Sequence, residues 1–316
     1  MAAGPQPGGY PTAPLDPPQR LLNALSKDPE SPAMAWLADL PGTVRRQLDI
    51  WELTPLRTQV PGGLHSMVVL VTQADGSPAA LKFPVPGPDA EREGAALERW
   101  DGWGAVRLLR ADPDSGALLL ERLRGAVSLR SLPEAKALLE AAGTLRRLWV
   151  EPAADHSFRT VADLTAHRVA LLRAASASAG PWGTQTGPLV DEAMRVRAEL
   201  VESPPELVLL HGDFRQGKVL SGERAPWLTV GPRPLVGERA YDLARLVLDR
   251  FEDLAAGSGP AAVVRRRLAK LADSLEVDRD RLHGWTLFRA VDAGLRQVVA
   301  GDRRRGELLL EFASWL

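Results

Sequence analysis

Apolar residues change their spacing twice along this chain. Between Pro32 and Trp51, the residues Met34, Trp36, Leu37, Leu40, Val44, Leu48 and Trp51 fall mostly at three- and four-residue steps, which predicts an amphipathic helix. The pattern then shortens to strands at Trp51 to Val60, Met67 to Thr72 and Ala79 to Phe83. The turn Ala74-Asp75-Gly76-Ser77 makes the last two a hairpin. A helix is predicted from Pro88 or Asp89 to Trp100, and strands at Ala105 to Arg110 and Ala117 to Glu121 around the turn Asp112 to Gly116. Strands, one helix, then strands with short turns predict an α+β lobe with an antiparallel sheet over 21–124.

After Gly125 helical spacing takes over and defines a mainly helical second lobe, 125–316. Helices are predicted at Leu132 to Leu148, Val161 to Ala175, Leu189 to Val201, Tyr241 to Leu254, Pro260 to Ser274, Asp278 to Ala300 and Arg303 to Trp315. A β island interrupts them at Leu207 to Leu210, Val219 to Ser221 and Trp227 to Val230. Ser176 to Pro188 reads as a surface loop. Residues 1–20, rich in Pro and Gly from Gly4 to Pro18, read as a disordered tail.

Composition removes several function classes. Lys+Arg number 39 and Asp+Glu 40, so the net charge of -1 asks for neither nucleic acid nor an anionic membrane. There is no cysteine, which excludes disulfides, thiolate nucleophiles and cysteine-ligated metals and fits a reducing cytoplasm. No apolar run approaches the roughly 18 residues that span a bilayer, and the first residues have no basic and apolar leader pattern. The expectation is a soluble cytoplasmic protein without nucleic-acid or membrane partners. Lysine is confined to Lys27, Lys82, Lys136, Lys218 and Lys270, which singles out Lys82 and Lys218 in the segments below.

The β island carries the chemistry. Leu209-Leu210-His211-Gly212-Asp213-Phe214-Arg215-Gln216-Gly217-Lys218-Val219-Leu220 has the frame of a kinase catalytic loop. In that frame Asp213 accepts the proton of an attacking hydroxyl, and an Asn five positions later holds magnesium. The fifth position here is Lys218, whose ammonium has three donors and no lone pair for a cation. His211 reads as a structural hydrogen-bonding residue.

The chain resembles the aminoglycoside phosphotransferases, most closely the streptomycin 6-kinase and hydroxyurea phosphotransferase branch. The resemblance runs from about Pro32 to the C-terminus. It rests on Trp100-Asp101-Gly102-Trp103-Gly104-Ala105-Val106-Arg107-Leu108-Leu109, on Leu118-Leu119-Leu120-Glu121-Arg122-Leu123, on the His211-Gly212-Asp213 loop, and on Pro234-Leu235-Val236-Gly237-Glu238 followed by Tyr241-Asp242-Leu243-Ala244. It implies a two-lobed protein-kinase-like fold, ATP between the lobes, and a small hydroxylated molecule as acceptor. Lys82 matches the lysine that contacts nucleotide phosphates, with Glu93 as its helix partner and Glu91 as the competing choice. Gly62 and Gly63 in the turn Pro61 to Ser66 are placed to lie over phosphates, and the backbone from Glu121 to Leu123 to face an adenine. Asp242 would brace the catalytic loop, and Asp249, Glu252 and Asp253 read as a solvated helix face, the alternative by resemblance being an acidic patch that holds a cationic aminoglycoside.

The family pattern has Asn where this chain has Lys218, and an Asp thirteen residues later where this chain has Gly231. Both usual magnesium ligands are replaced, so no metal is expected in that place. Arg215, Lys218 and Arg233 cluster in sequence around the loop as candidate anion-binding groups. The open readings are a pseudokinase acting as a ligand-binding or partner module, an ammonium standing in for the metal and holding an anionic ligand, kinase activity through another metal arrangement, and reuse of the interlobe cleft for other chemistry with Asp213 as acid or base. Antibiotic resistance and secondary metabolism are the settings that the resemblance suggests.

Overall fold

Ser31 starts the long amphipathic helix: its side chain accepts a hydrogen bond from Ala33 N at 3.4 Å, and Pro32 occupies the first helical position. This computed structural model describes residues 15–178 and 180–316. Most of the expected tail, 1–14, lies outside the described residues. Its last part is ordered, because Leu15 and the short helix α1 (Gln19–Leu25) join the core through Leu15 and Leu21.

Two compact units divide the chain: one runs to Gly102 and includes Val106–Leu123, and the other comprises Trp103–Ala105 and Arg124–Leu316. In the first, α2 (Pro32–Ile50) is followed by β1 (Thr54–Thr58), β2 (Ser66–Thr72), β3 (Pro78–Pro84), α3 (Pro88–Trp100), β4 (Leu108–Asp112) and β5 (Ala117–Glu121). The sheet order is β1-β2-β3-β5-β4, with every pairing antiparallel. Alternation along the strands decides which face is core. Met67, Val69 and Val71 of β2, Ala79, Leu81 and Phe83 of β3, and Ala117 and Leu119 of β5 pack with Leu37, Leu40, Val44 and Leu48 of α2. Lys82, between Leu81 and Phe83, therefore emerges on the opposite face.

The second unit contains β6 (Arg124–Ser128), α4 (Glu134–Leu148), β7 (Arg159–Thr160), α5 (Val161–Ser178), α6 (Gly180–Glu202), β8 (Val208–Leu210), β9 (Val219–Ser221), β10 (Leu228–Thr229), β11 (Leu235–Gly237), α7 (Arg239–Val247), α8 (Phe251–Ala255), α9 (Pro260–Leu275), α10 (Arg279–Val299) and α11 (Arg303–Ser314). Two small sheets, β10-β9-β6 and β7-β11-β8, frame the loop that follows β8. The central helix is α10, packed against α6, α7 and α11, with Leu282, Trp285 and Phe288 buried. Trp285 meets the Tyr241 ring edge-on at 5.0 Å and donates to Glu238 Oε1 at 2.6 Å, while Arg281 clamps the same carboxylate. This corner fixes the start of α7.

Three expectations are corrected. The loop expected at Ser176 to Pro188 is helix from Gly180 onward, with Pro188 accommodated inside α6. The single helix expected from Tyr241 to Leu254 is two, broken where Arg250 takes φ 56. The short strands β6, β7 and β11 were not anticipated, because two to five residues hold too little alternation to be read alone.

Candidate active site

The loop after β8 turns at Gly212, whose φ is +76. A Cβ there would lie 1.9 Å from the carbonyl oxygen of Arg233, so only glycine fits between the two passing strands of chain. The close approach is held by Arg233 N donating to His211 O at 2.8 Å. Asp242, in the first turn of α7, braces the turn from below: its two carboxylate oxygens accept from His211 N at 2.8 Å and Gly212 N at 2.9 Å. Burial pushes the Asp242 carboxyl up to about 6, against the pull of these two donors and of Arg289.

His211 is fully buried, and burial followed by the nearby Lys218 cation pushes its imidazole down to about 3. The ring is therefore neutral. Its Nδ1 accepts from Asp213 N at 3.3 Å, which leaves the proton on Nε2, 3.3 Å from Val230 O. This is a structural role, as expected from the sequence. Beyond Asp213 a single 3₁₀ turn, Gln216–Lys218, is anchored by Gln216 N donating to Asp249 Oδ2 at 2.6 Å. Asp249 is thus buried and spent on the loop, whereas Glu252 pairs with Arg305 at 2.9 Å and Asp253 is exposed. The three do not form one solvated face.

The 3₁₀ turn aims Lys218 back at Asp213. Its ammonium lies 2.6 Å from Asp213 Oδ2 and donates to the carbonyl oxygen of Gly231 at 2.7 Å. Arg245 Nε is 3.3 Å from Asp213 Oδ1, and Arg215 is 3.5 Å from Oδ2. Burial by itself would raise the Asp213 carboxyl, but Lys218, Arg245 and Arg215 hold it far below the ordinary carboxylate range. Burial pushes the Lys218 ammonium down to about 8, with Arg215 and Arg233 adding to the fall and Asp213 opposing it.

This donor set does not fit magnesium. Lys218 offers only N–H donors, and the Gly231 carbonyl is already engaged by it. A Cβ at Gly231 would stand 3.8 Å from the Lys218 ammonium, so the ammonium occupies the space that a side chain at 231 would face. Among the described residues no group of three or more His, Asp or Glu is arranged to hold a metal ion.

In the first unit, Lys82 bridges both oxygens of Glu93, at 2.5 and 2.6 Å, and both side chains are buried. Glu91, the competing partner, is exposed on α3. The turn between β1 and β2 holds Gly62 at φ +73, and a Cβ there would meet Pro18 at 2.7 Å, so this turn is packed on the chain's N-terminal segment. Glu121 accepts from Arg107 N at 2.7 Å, and Leu123 is half-buried at the unit's end.

Two groupings therefore exist: Lys82 with Glu93, and Asp213 with Lys218 and Arg215. Arg233 is exposed and has no hydrogen bond or ion pair to Asp213 among the described residues; Arg245 stands there instead. Arg245 follows Asp242 by three residues on α7, and that spacing on one helix face was the available signal.

Comparison with known proteins gives one consistent answer. A family model described as aminoglycoside/hydroxyurea antibiotic resistance kinase matches residues 50–301. A streptomycin 6-kinase of Streptomyces glaucescens is 36% identical over 270 residues, 85% of this chain and 86% of the relative. A hydroxyurea phosphotransferase of Kitasatospora aureofaciens is 35% identical over 268 residues, 83% of this chain and 74% of the relative. Among solved structures, an aminoglycoside phosphotransferase, APH(4)-Ia, in ternary complex with ADP and hygromycin B aligns with a TM-score of 0.54 at 17% identity, over 85% of this chain and 96% of that one.

Proposed function

The chain belongs to the aminoglycoside/hydroxyurea antibiotic resistance kinase family, and from that premise we propose that it binds ATP but carries out little or no magnesium-dependent phosphoryl transfer. Its fold is the two-lobed kinase-like fold of that family. The observation that carries the proposal is the Lys218 ammonium, bound at once to Asp213 and to the Gly231 carbonyl. The group that should receive a proton is locked in an ion pair. The place of the metal ligands is held by a cation that cannot ligate a metal.

Two consequences follow for Asp213. A carboxylate held this far below its ordinary range is a weak base, so proton transfer to it has little driving force. Without a divalent ion, the charge that develops on a transferring phosphoryl group lacks a stabiliser worth several kcal/mol. The Lys82–Glu93 pair supports nucleotide binding, because it keeps a lysine ammonium oriented on the sheet face that is not core. The solved relative with ADP is consistent with this part. An acceptor hydroxyl would be oriented by Asp213, and Lys218 would supply positive charge to whatever anion lies beside it.

The test is thermal stabilisation by ATP, with and without magnesium, alongside ADP release with hydroxylated acceptors that include streptomycin. The expected result is stabilisation that magnesium does not increase, lost in Lys82→Met, with little turnover. Strong magnesium-dependent stabilisation with turnover would defeat the proposal. Absence of any nucleotide effect would favour a binding module for another ligand.

A further inference from the structure

Near the Gly212 turn the second unit gathers arginines from two helices and one turn. Arg289 on α10 donates to Gly212 O at 3.0 Å and Tyr241 O at 2.9 Å, with its guanidinium 4.3 Å from the Tyr241 ring centre. These contacts satisfy donors without neutralising the charge. Two helical turns later on α10, Arg296 pairs with Asp292 at 2.9 Å. Arg168 on α5 stands within electrostatic range of Asp292, Arg296, Tyr241 and Arg233. Burial, and then the Arg296 and Arg233 cations, lower its pKa against the pull of Asp292 and Tyr241. Arg233, in the turn after β10, is exposed, and it also lies within range of Lys218. Neither Arg168 nor Arg233 has a carboxylate at ion-pair distance among the described residues.

Here Arg168 and Arg296 share one carboxylate, Asp292, while Arg233 adds its charge within range of Arg168 and Arg289 lies on Gly212 and Tyr241. The adjoining Asp213 is already outnumbered by Lys218, Arg215 and Arg245. A polycation brought to this surface would meet like charge and would have to displace Lys218 from Asp213. An oxyanion would meet guanidinium groups that offer paired donors. We propose that this arginine face binds the oxyanion of a small hydroxyl-bearing molecule, such as a phosphate monoester or carboxylate, and discriminates against polycationic acceptors. The inference deepens the reading above, because it rests on Asp213 being the group that faces the acceptor. It departs from what the relatives' names would suggest for the acceptor, since streptomycin 6-kinase is named for a cationic antibiotic.

The experiment is isothermal titration of the full chain with inorganic phosphate at low ionic strength, with spermidine as the cationic contrast. Wild type and Arg168→Gln/Arg296→Gln are compared, with Arg168→Lys/Arg296→Lys as the charge-retaining control and Lys82→Met as the control in the other unit. Phosphate should bind the wild type, weaken at least tenfold in the glutamine variant, and recover most of its affinity in the lysine variant. Measured on the Lys82→Met background, which removes phosphate binding at the nucleotide lysine, the arginine dependence should persist, and spermidine should give no saturable heat. The inference fails if the glutamine variant binds phosphate as tightly as wild type, if wild type does not bind it, or if spermidine binds more tightly. Phosphate binding lost in Lys82→Met but indifferent to the arginines would overturn this inference and leave the nucleotide reading standing. ATP stabilisation missing while the arginine dependence holds would do the reverse.

Discussion

Replacing Lys218 by Asn and Gly231 by Asp together should return magnesium dependence to this protein, and neither change alone should do so. Lys218→Asn removes an ammonium 2.6 Å from Asp213 but leaves Arg245 at 3.3 Å and Arg215 at 3.5 Å. Because two cations remain, the loss of stability should be about 1–3 kcal/mol, between the values for exposed and buried pairs. Gly231→Asp places a carboxylate where φ is +61, at about 1–2 kcal/mol of backbone strain. Alone, that carboxylate would face the Lys218 ammonium, 3.8 Å from the new Cβ, and would be captured as a second ion pair. With both changes the ammonium is gone and oxygen donors stand at 213, 218 and 231. Magnesium should then tighten ATP binding at least tenfold, or about 1.4 kcal/mol. Recovery of about 4 kcal/mol of barrier would raise turnover about a thousandfold. The assay is ATP affinity by titration calorimetry with and without magnesium, in wild type, both single variants and the double variant. If the double variant gains no magnesium dependence, or Lys218→Asn alone gains as much, the reasoning is refuted.

Other outcomes follow from the same geometry. Gly212→Ala should cost at least about 3 kcal/mol in urea unfolding, from the left-handed backbone and the collision with the Arg233 carbonyl; a loss below 1 kcal/mol would show that the loop yields. Glu93→Ala should leave the Lys82 ammonium buried without its partner, lowering stability by about 3–5 kcal/mol and weakening ATP binding. Asp242 has a folded pKa of about 6, above its unfolded value of 3.8, so its contribution is fully present below pH 3.8 and lost as pH rises through 6. The stability of wild type relative to Asp242→Asn should therefore fall by about 3 kcal/mol from pH 3.5 to 7, and a flat difference would contradict the burial argument.

Much of the architecture was legible because its signals are local. The three- and four-residue steps of α2 and the alternation of β2, β3 and β5 name their own buried faces, and the same alternation sends Lys82 away from the core. The interior of α6 was hidden by Pro188, which reads as a breaker yet is tolerated within the helix. The choice between Glu93 and Glu91 needed the rotation of α3 against β3, which a helix two residues out of register would have reversed.

Sequence alone determined the family, the α+β fold class, the glycine at 212 and the presence of Lys218 and Gly231 where oxygen ligands were expected. Only the tertiary structure decided what fills that space. It brought Arg245, Asp249 and Arg289 to the loop from α7, its C-terminal end and α10, and turned Lys218 onto Asp213. The physical reason is range: backbone preference and hydrophobic period act over a few residues, whereas charge acts through space between residues as far apart in the chain as Glu134 and Arg267.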